Sequence, residues 1–395
     1  MIEAREFIET ARAHGFEWYA GVPCSYLTPF INYVLQDPSL HYLSMANEGD
    51  AIALIAGIAL AGAPGLKHRR GVSMMQNSGL GNAVSPLTSL TWVFRLPQLL
   101  VLTWRAQPGV PDEPQHALMG PITPTLLDTM QIPWELFPTT SAAIAPALER
   151  AVRHMDATGR PYALLMQKGS VASYPLKPGS ELTPRRARAA PSIAPRASAA
   201  APPPSRREAL QCVIEASPSE STAVLASTGY CGRELYALAD RPNHFYMVGS
   251  MGCMVPLALG LALARPDLRV IALDGDGAAL MRLGALATVG AYGPSNLQHL
   301  LLDNSAHEST GGQATVSAHL SFAEVAAGCG YASALDAAEL QQLESWLRQR
   351  PLDGPRFACI RTRLGTPRDL PRPSIAPLEV KRRLMQHFNV EAGVH

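Results

Sequence analysis

From Lys177 to Arg207 the chain reads KPGSELTPRRARAAPSIAPRASAAAPPPSRR, rich in proline, alanine, arginine and serine and without apolar periodicity. Such a run cannot bury enough surface to offset the entropy of ordering it. It reads as a linker, and it constrains everything else: the 395 residues must fold as two halves of similar size. The expected division is one domain at 1–175, the linker at 176–207, a second domain at 208–365, and a Pro-rich C-terminal arm at 366–395 with a short helix near its end.

Each half alternates short apolar strands with helical patterns. The first offers WYAGV, HYLSMA, GVSMMQ, LPQLLVLTW and PYALLMQ; the second offers STAVLAST, HFYMVGS, RVIALDG, LQHLLLDN and RFACIR. Helices are expected between them, for example EGDAIALIAGIALA from Glu48 and a single helix over AALMRLGALATVGAYG. This alternation is the signature of parallel sheets. The fold class is α/β, with two Rossmann-like domains.

The most informative stretch is LDGDGAALMRLGALATVGAYGPSNLQHLLLDNSAH, Leu273 to His307. Asp276 and Asn304 fall at the C-terminal ends of two strands, the edge where parallel sheets bind ligands. Gly275 and Gly277 match part of a dinucleotide loop, but Leu280 stands at its third glycine position. A carboxylate inside a phosphate cradle repels the phosphate unless a divalent cation lies between them. Asp276, the Asn304 amide oxygen and the Ala306 carbonyl would supply oxygen ligands suited to Mg²⁺. The competing explanation is that these residues merely cap helices and turns.

Composition narrows the partners. The formal net charge is +1, which gives no reason to expect nucleic acid or an anionic membrane. The N-terminus lacks the apolar core of a signal peptide, and no apolar run is long enough to span a bilayer. The six cysteines include no CxxC pair, so a zinc site or disulfide framework is not expected and a reducing cytoplasm fits.

GDG, a spacer and Asp-Asn resemble the diphosphate-binding motif of thiamine diphosphate-dependent enzymes; 25 residues separate Gly277 from Asp303, within that family's spacing. The resemblance implies the thiamine diphosphate-binding fold, with a pyrimidine-binding domain first and a diphosphate- and Mg²⁺-binding domain second. It implies a catalytic glutamate against the aminopyrimidine, and Glu48 in SMANEGDAIALIAG fits, with Asn47 as helix cap. The alternative for Glu48 is a first-turn glutamate favoured by the helix dipole. Gly249, Ser250 and Met251 resemble the segment that holds the pyrimidine, with Met251 as an apolar wedge or plain core. Thr228 and Gly229 resemble the first diphosphate loop. Asn77 and Gly79 resemble the glycine-rich turn of the pyrimidine domain. The family arrangement implies a homodimer or larger oligomer with sites shared between subunits.

A layout without a middle domain resembles the phosphonopyruvate and sulfopyruvate decarboxylases. GVPCSYLTPFINYV, WRAQPGVPDEPQHALMG and DNSAHESTGGQATVS look like the phosphonopyruvate branch, although Cys24 stands where many relatives carry aspartate. The resemblance implies decarboxylation of 3-phosphonopyruvate to phosphonoacetaldehyde in phosphonate or antibiotic biosynthesis. Sulfopyruvate, or a non-catalytic cofactor-binding subunit, are the alternatives. A phosphonate needs cationic or amide donors. Candidates are Ser25, Arg105, His116, Arg233, His307 and Thr310. Arg105 and Arg233 are equally readable as structural ion pairs with Asp112 or Glu234, and either histidine as a structural group or a proton donor.

Overall fold

Every strand expected from the sequence is present in the computed structural model, which describes residues 1–62, 69–180, 202–349 and 352–388. The described residues form two units, one within 1–183 and one within 184–390. The first contains β1 (Phe16–Gly21), β2 (His41–Ser44), β3 (Arg70–Gln76), β4 (Leu99–Thr103), β5 (Trp134–Leu136) and β6 (Tyr162–Met166). The second contains β7 (Thr222–Ala226), β8 (His244–Tyr246), β9 (Arg269–Gly275) and β10 (Leu297–Asp303). It continues with a short pair, β11 (Ala306–His307) and β12 (Gln313–Ala314), then β13 (Ser333–Ala337) and β14 (Arg356–Arg361).

The sheet orders are β2-β1-β3-β4-β6-β5 and β13-β14-β10-β9-β7-β8, and every pairing within these two sheets is parallel. Read in the opposite direction, the second order repeats the first. Each sheet therefore reverses its winding between its first and third strands. At such a point neighbouring loops diverge and leave a crevice beyond the strand ends. In the second unit that crevice lies beyond β7 and β9.

The cores follow from composition. The helix Glu48–Ala61 is buried from Gly49 onward, and the helix Met254–Ala264 is buried almost throughout. A helix apolar on all sides must be covered on all sides. Glu48–Ala61 packs on β1 and β3 and under Leu80–Pro86; Met254–Ala264 packs on β9 and β10 and against Gly284–Tyr292. The Asn47 side chain caps the first of these helices by accepting from the Gly49 amide at 2.8 Å.

Three features differ from the sequence reading. β5 and β13 were not expected; both are edge strands, where a continuous apolar run is not required. The expected single helix after Asp276 is two, Asp276–Met281 and Gly284–Tyr292, interrupted at Arg282 with φ −135° and ψ 48°. Among the described residues, the first helix of the second unit begins at Arg206, inside the segment read as linker. Ser205 and Glu208 form a capping box there. Residues 181–201 of that segment lie outside the described residues. The C-terminal segment carries the helix Pro377–His387, packed against β8 through an inner face that includes Val380 and Leu384. No helix among the described residues is long and apolar enough to cross a membrane.

Gly290 marks the tightest approach in the second unit: a Cβ there would lie 1.8 Å from the Cys329 carbonyl oxygen. Gly290→Ala is expected to destabilise this unit by about 2 kcal/mol or more, through forced separation of helix and backbone. Denaturant unfolding followed by circular dichroism measures this; an unchanged midpoint would show that the backbone yields freely.

Candidate active site

The crevice beyond β7 and β9 holds a cavity lined by Thr228, Gly229, Tyr230, Met251, Gly275, Asp276, Gly277, Asn304, Ala306 and His307, among others. Nine sequence candidates from four separate loops thus meet in one place. β7 delivers Thr228 and Gly229. Gly229 has φ 91°, the left-handed region that favours glycine, and it caps the helix Tyr230–Leu238. The first-turn amides of a helix have no intrahelical acceptor, which makes its start suited to an anion.

β9 delivers Gly275, Asp276 and Gly277. A side chain at Gly277 would displace its neighbours: a Cβ would meet the His307 ring at 2.5 Å and the Met251 methyl at 3.2 Å. Met251 therefore stands over the glycine turn, reached by a loop in which Ser250 has φ 49° and Gly252 φ 87°. Gly249 and Ser250 lie on this loop but do not line the cavity.

Asp276 is almost fully buried, and burial pushes its carboxyl up from the usual range, with Asp303 adding like-charge repulsion. Thr315 donates to its Oδ2. The carboxylate is thus oriented but poorly compensated, which a cation would relieve. Asn304 is fixed as well. Its Nδ2 donates to Glu308 at 3.0 Å, and its Oδ1 accepts from the Ala306 amide at 3.1 Å. A carbonyl-type oxygen has two lone pairs, so Oδ1 retains one acceptor position. Among the described residues no cluster of three His, Cys, Asp or Glu could hold a metal. A hard cation would rely here on the Asp276 carboxylate, the Asn304 oxygen and the Ala306 carbonyl, leaving room for phosphate oxygens and water. The glycine turn, the helix start and this oxygen set fit a metal-bound diphosphate.

Sequence reading missed the frame behind these ligands. Arg206 is buried and bridges Glu234 at 2.7 Å and Glu308 at 2.5 Å. Glu308 also accepts from the Gly365 amide at 2.7 Å. Only Ser-Arg-Arg-Glu as a capping box signalled order near Arg206; nothing local signalled its burial. Asp274, two residues before Asp276, turns into the core instead of the cavity. Desolvation pushes it up to about 7, and its Oδ1 accepts from the Gly275 amide at 3.0 Å.

The other candidates lie in the first unit or are otherwise engaged. Glu48 is half-buried at the start of its helix and accepts from Asn82 at 2.8 Å. A Cβ at Gly79 would come within 2.5 Å of the Glu48 side chain, so the glycine makes room for it. The Asn77 amide is committed internally, donating to Thr123 at 2.9 Å and to the Arg105 carbonyl at 3.1 Å. Arg105 is the structural ion pair of its alternative reading: its Nε donates to Asp112 at 2.8 Å. His116 is buried, and its Nδ1 has no partner among the described residues. Ser25 is exposed and lines a first-unit cavity with Tyr26 and Tyr174. The Cys24 thiol is buried within 3.4 Å of the Thr103 hydroxyl. In the second unit, Arg233 donates to the Leu370 and Pro371 carbonyls and does not pair with Glu234. Thr310 donates to the His307 carbonyl at 3.1 Å.

Comparison with known proteins agrees with this geometry. Residues 228–361 match the family described as thiamine pyrophosphate enzyme, C-terminal TPP binding domain. The chain is 43% identical to the phosphonopyruvate decarboxylase of Streptomyces viridochromogenes, over 97% of this chain and 94% of that protein. It is 41% identical to the phosphonopyruvate decarboxylase of Streptomyces hygroscopicus, over 98% and 94%. A benzoylformate decarboxylase structure from Polynucleobacter necessarius shares the fold, with a TM-score of 0.68 at 11% identity, over 92% of this chain and 99% of that one. The chain belongs to the phosphonopyruvate decarboxylase family of thiamine diphosphate-dependent enzymes.

Proposed function

We propose that this protein decarboxylates 3-phosphonopyruvate to phosphonoacetaldehyde and carbon dioxide, using thiamine diphosphate and Mg²⁺, in phosphonate biosynthesis in the cytoplasm. The observation that carries this reading is the buried carboxylate of Asp276, in a glycine-lined crevice beside a fixed amide oxygen. High identity to phosphonopyruvate decarboxylases over nearly the whole chain supports the substrate.

Bound thiamine diphosphate supplies the electron sink for the pair released as carbon dioxide leaves. The protein's residues hold and orient. Asp276, Asn304 and the Ala306 carbonyl hold the metal. Gly229, Gly275 and Gly277 let backbone amides approach the diphosphate without side-chain obstruction. Met251 shapes the apolar wall. Glu48 holds a proton at the pyrimidine ring and Gly79 leaves space for it. The carbon that loses carbon dioxide gains one proton, and His307, on the cavity wall, is a candidate donor. With Glu48 and Asp276 in different units, we assign the active form to a homodimer or larger oligomer whose subunits each contribute half a site.

The deciding experiment supplies purified protein with Mg²⁺, thiamine diphosphate and phosphonopyruvate, with sulfopyruvate and pyruvate in parallel. Preferred turnover of phosphonopyruvate is expected; preferred turnover of sulfopyruvate would correct the substrate and keep the site. Asp276→Ala is expected to weaken Mg²⁺-dependent cofactor binding by at least tenfold, about 1.4 kcal/mol, in calorimetric titration. Tight metal-free binding by that variant would remove Asp276 from the metal site. Glu48→Ala should abolish turnover while retaining cofactor. Co-refolding inactive Glu48→Ala and Asp276→Ala chains should restore part of the activity through mixed dimers. No recovery, with mixed dimers demonstrated, would place each whole site in one subunit.

A further inference from the structure

A second cavity, of about 390 Å³, adjoins the diphosphate crevice and shares Thr228, Gly229 and Ser309 with it. That volume lies within the range of small-ligand pockets, roughly 300–1,000 Å³. Its floor is apolar: Tyr246, Met247, Val248 and Ile375. Its polar lining includes Arg233, Arg372, Thr228 and Ser309, and no carboxylate residue lines it.

The C-terminal segment forms one wall and is held in place on both sides of Arg372. Arg233 donates to the carbonyls of Leu370 and Pro371, immediately before it. Tyr236 and Ser374 share a hydrogen bond of 2.8 Å, two residues after it. The following helix Pro377–His387 anchors on β8 through buried Val380 and Leu384. Arg372 itself has no hydrogen-bond or ion-pair partner among the described residues, and neither has the Ser309 side chain. A clasped backbone thus holds an uncommitted, solvent-exposed arginine on the wall of a cavity with an apolar floor and no competing acid. Guanidinium is a permanent cation whose planar fork matches tetrahedral oxyanions.

We propose that this cavity is the subsite for the phosphonate of the substrate, with Arg372 as its binding cation and Ser309 as a neutral donor. The proposal rests on the functional reading above. Arg233, the sequence candidate, positions Arg372 through the arm instead of serving as the principal ligand.

The test compares full-length wild-type protein with Arg372→Gln and Arg372→Lys, all loaded with thiamine diphosphate and Mg²⁺. Phosphonoacetate, which carries the same head without a keto group, is titrated calorimetrically. Arg372→Gln is expected to weaken its binding about tenfold or more, as for loss of a charged hydrogen bond. Arg372→Lys should be intermediate. In turnover, Arg372→Gln should raise KM for phosphonopyruvate by a similar factor and change kcat less than threefold, with cofactor affinity unchanged. Equal phosphonoacetate affinity in wild type and Arg372→Gln would overturn the proposal. So would a parallel loss of cofactor affinity, which would assign Arg372 to the cofactor. Wild-type protein that binds phosphonoacetate through Arg372 but does not turn over phosphonopyruvate would sustain the subsite and overturn the functional reading.

Discussion

Burial of one carboxylate organises the second unit. Asp276 lies at the reversal of the sheet winding, where the loops after β7 and β9 part. Removing a carboxylate from water is expensive unless it is paired or hydrogen-bonded. Here Thr315 supplies one donor, and Asp303 nearby makes the local charge worse. Backbone hydrogen bonds at Gly277 and Asp276 add to that donor, and the remaining deficit is one that a cation would relieve.

The surrounding residues keep that deficit in position without cancelling it. Glu308 accepts from the Asn304 Nδ2, which fixes the amide so that its oxygen, accepting from the Ala306 amide, keeps one acceptor position. Arg206 pairs with Glu308 and Glu234 at once, which ties both acids into one frame. A buried ion-pair frame of this kind contributes little net stability, but breaking it is costly because a charge is left unpaired. Its value here is geometric: it fixes a ligand side chain that would otherwise rotate.

The repeated sheet order gives the chain two crevices built by one rule and furnished differently. In the second unit, glycines and a buried carboxylate suit a metal-bound diphosphate. In the first, Glu48 stands at a helix start against Gly79, a carboxylate with room made for it. Asp276 sits where neighbouring strands wind apart, whereas Glu48 follows the edge strand β2 of its sheet.

Periodicity and composition determined the α/β class and the ten principal strands. These are local properties of strand and helix, written in consecutive residues. The GDG turn and Asp303-Asn304 were legible for the same reason: short motifs carry their own backbone requirements. Edge strands β5 and β13 were not legible, because a strand with one neighbour needs no continuous apolar run. Arg105 and Arg233 were chemically plausible anion ligands until the fold gave each its partners, Asp112 and the Leu370–Pro371 carbonyls. Arg206 reaches the cavity lined by Asp276, and Arg372 the cavity beside it, from distant parts of the chain. Whether a charged side chain is buried, paired or free depends on what packs around it, and only the tertiary structure decides that.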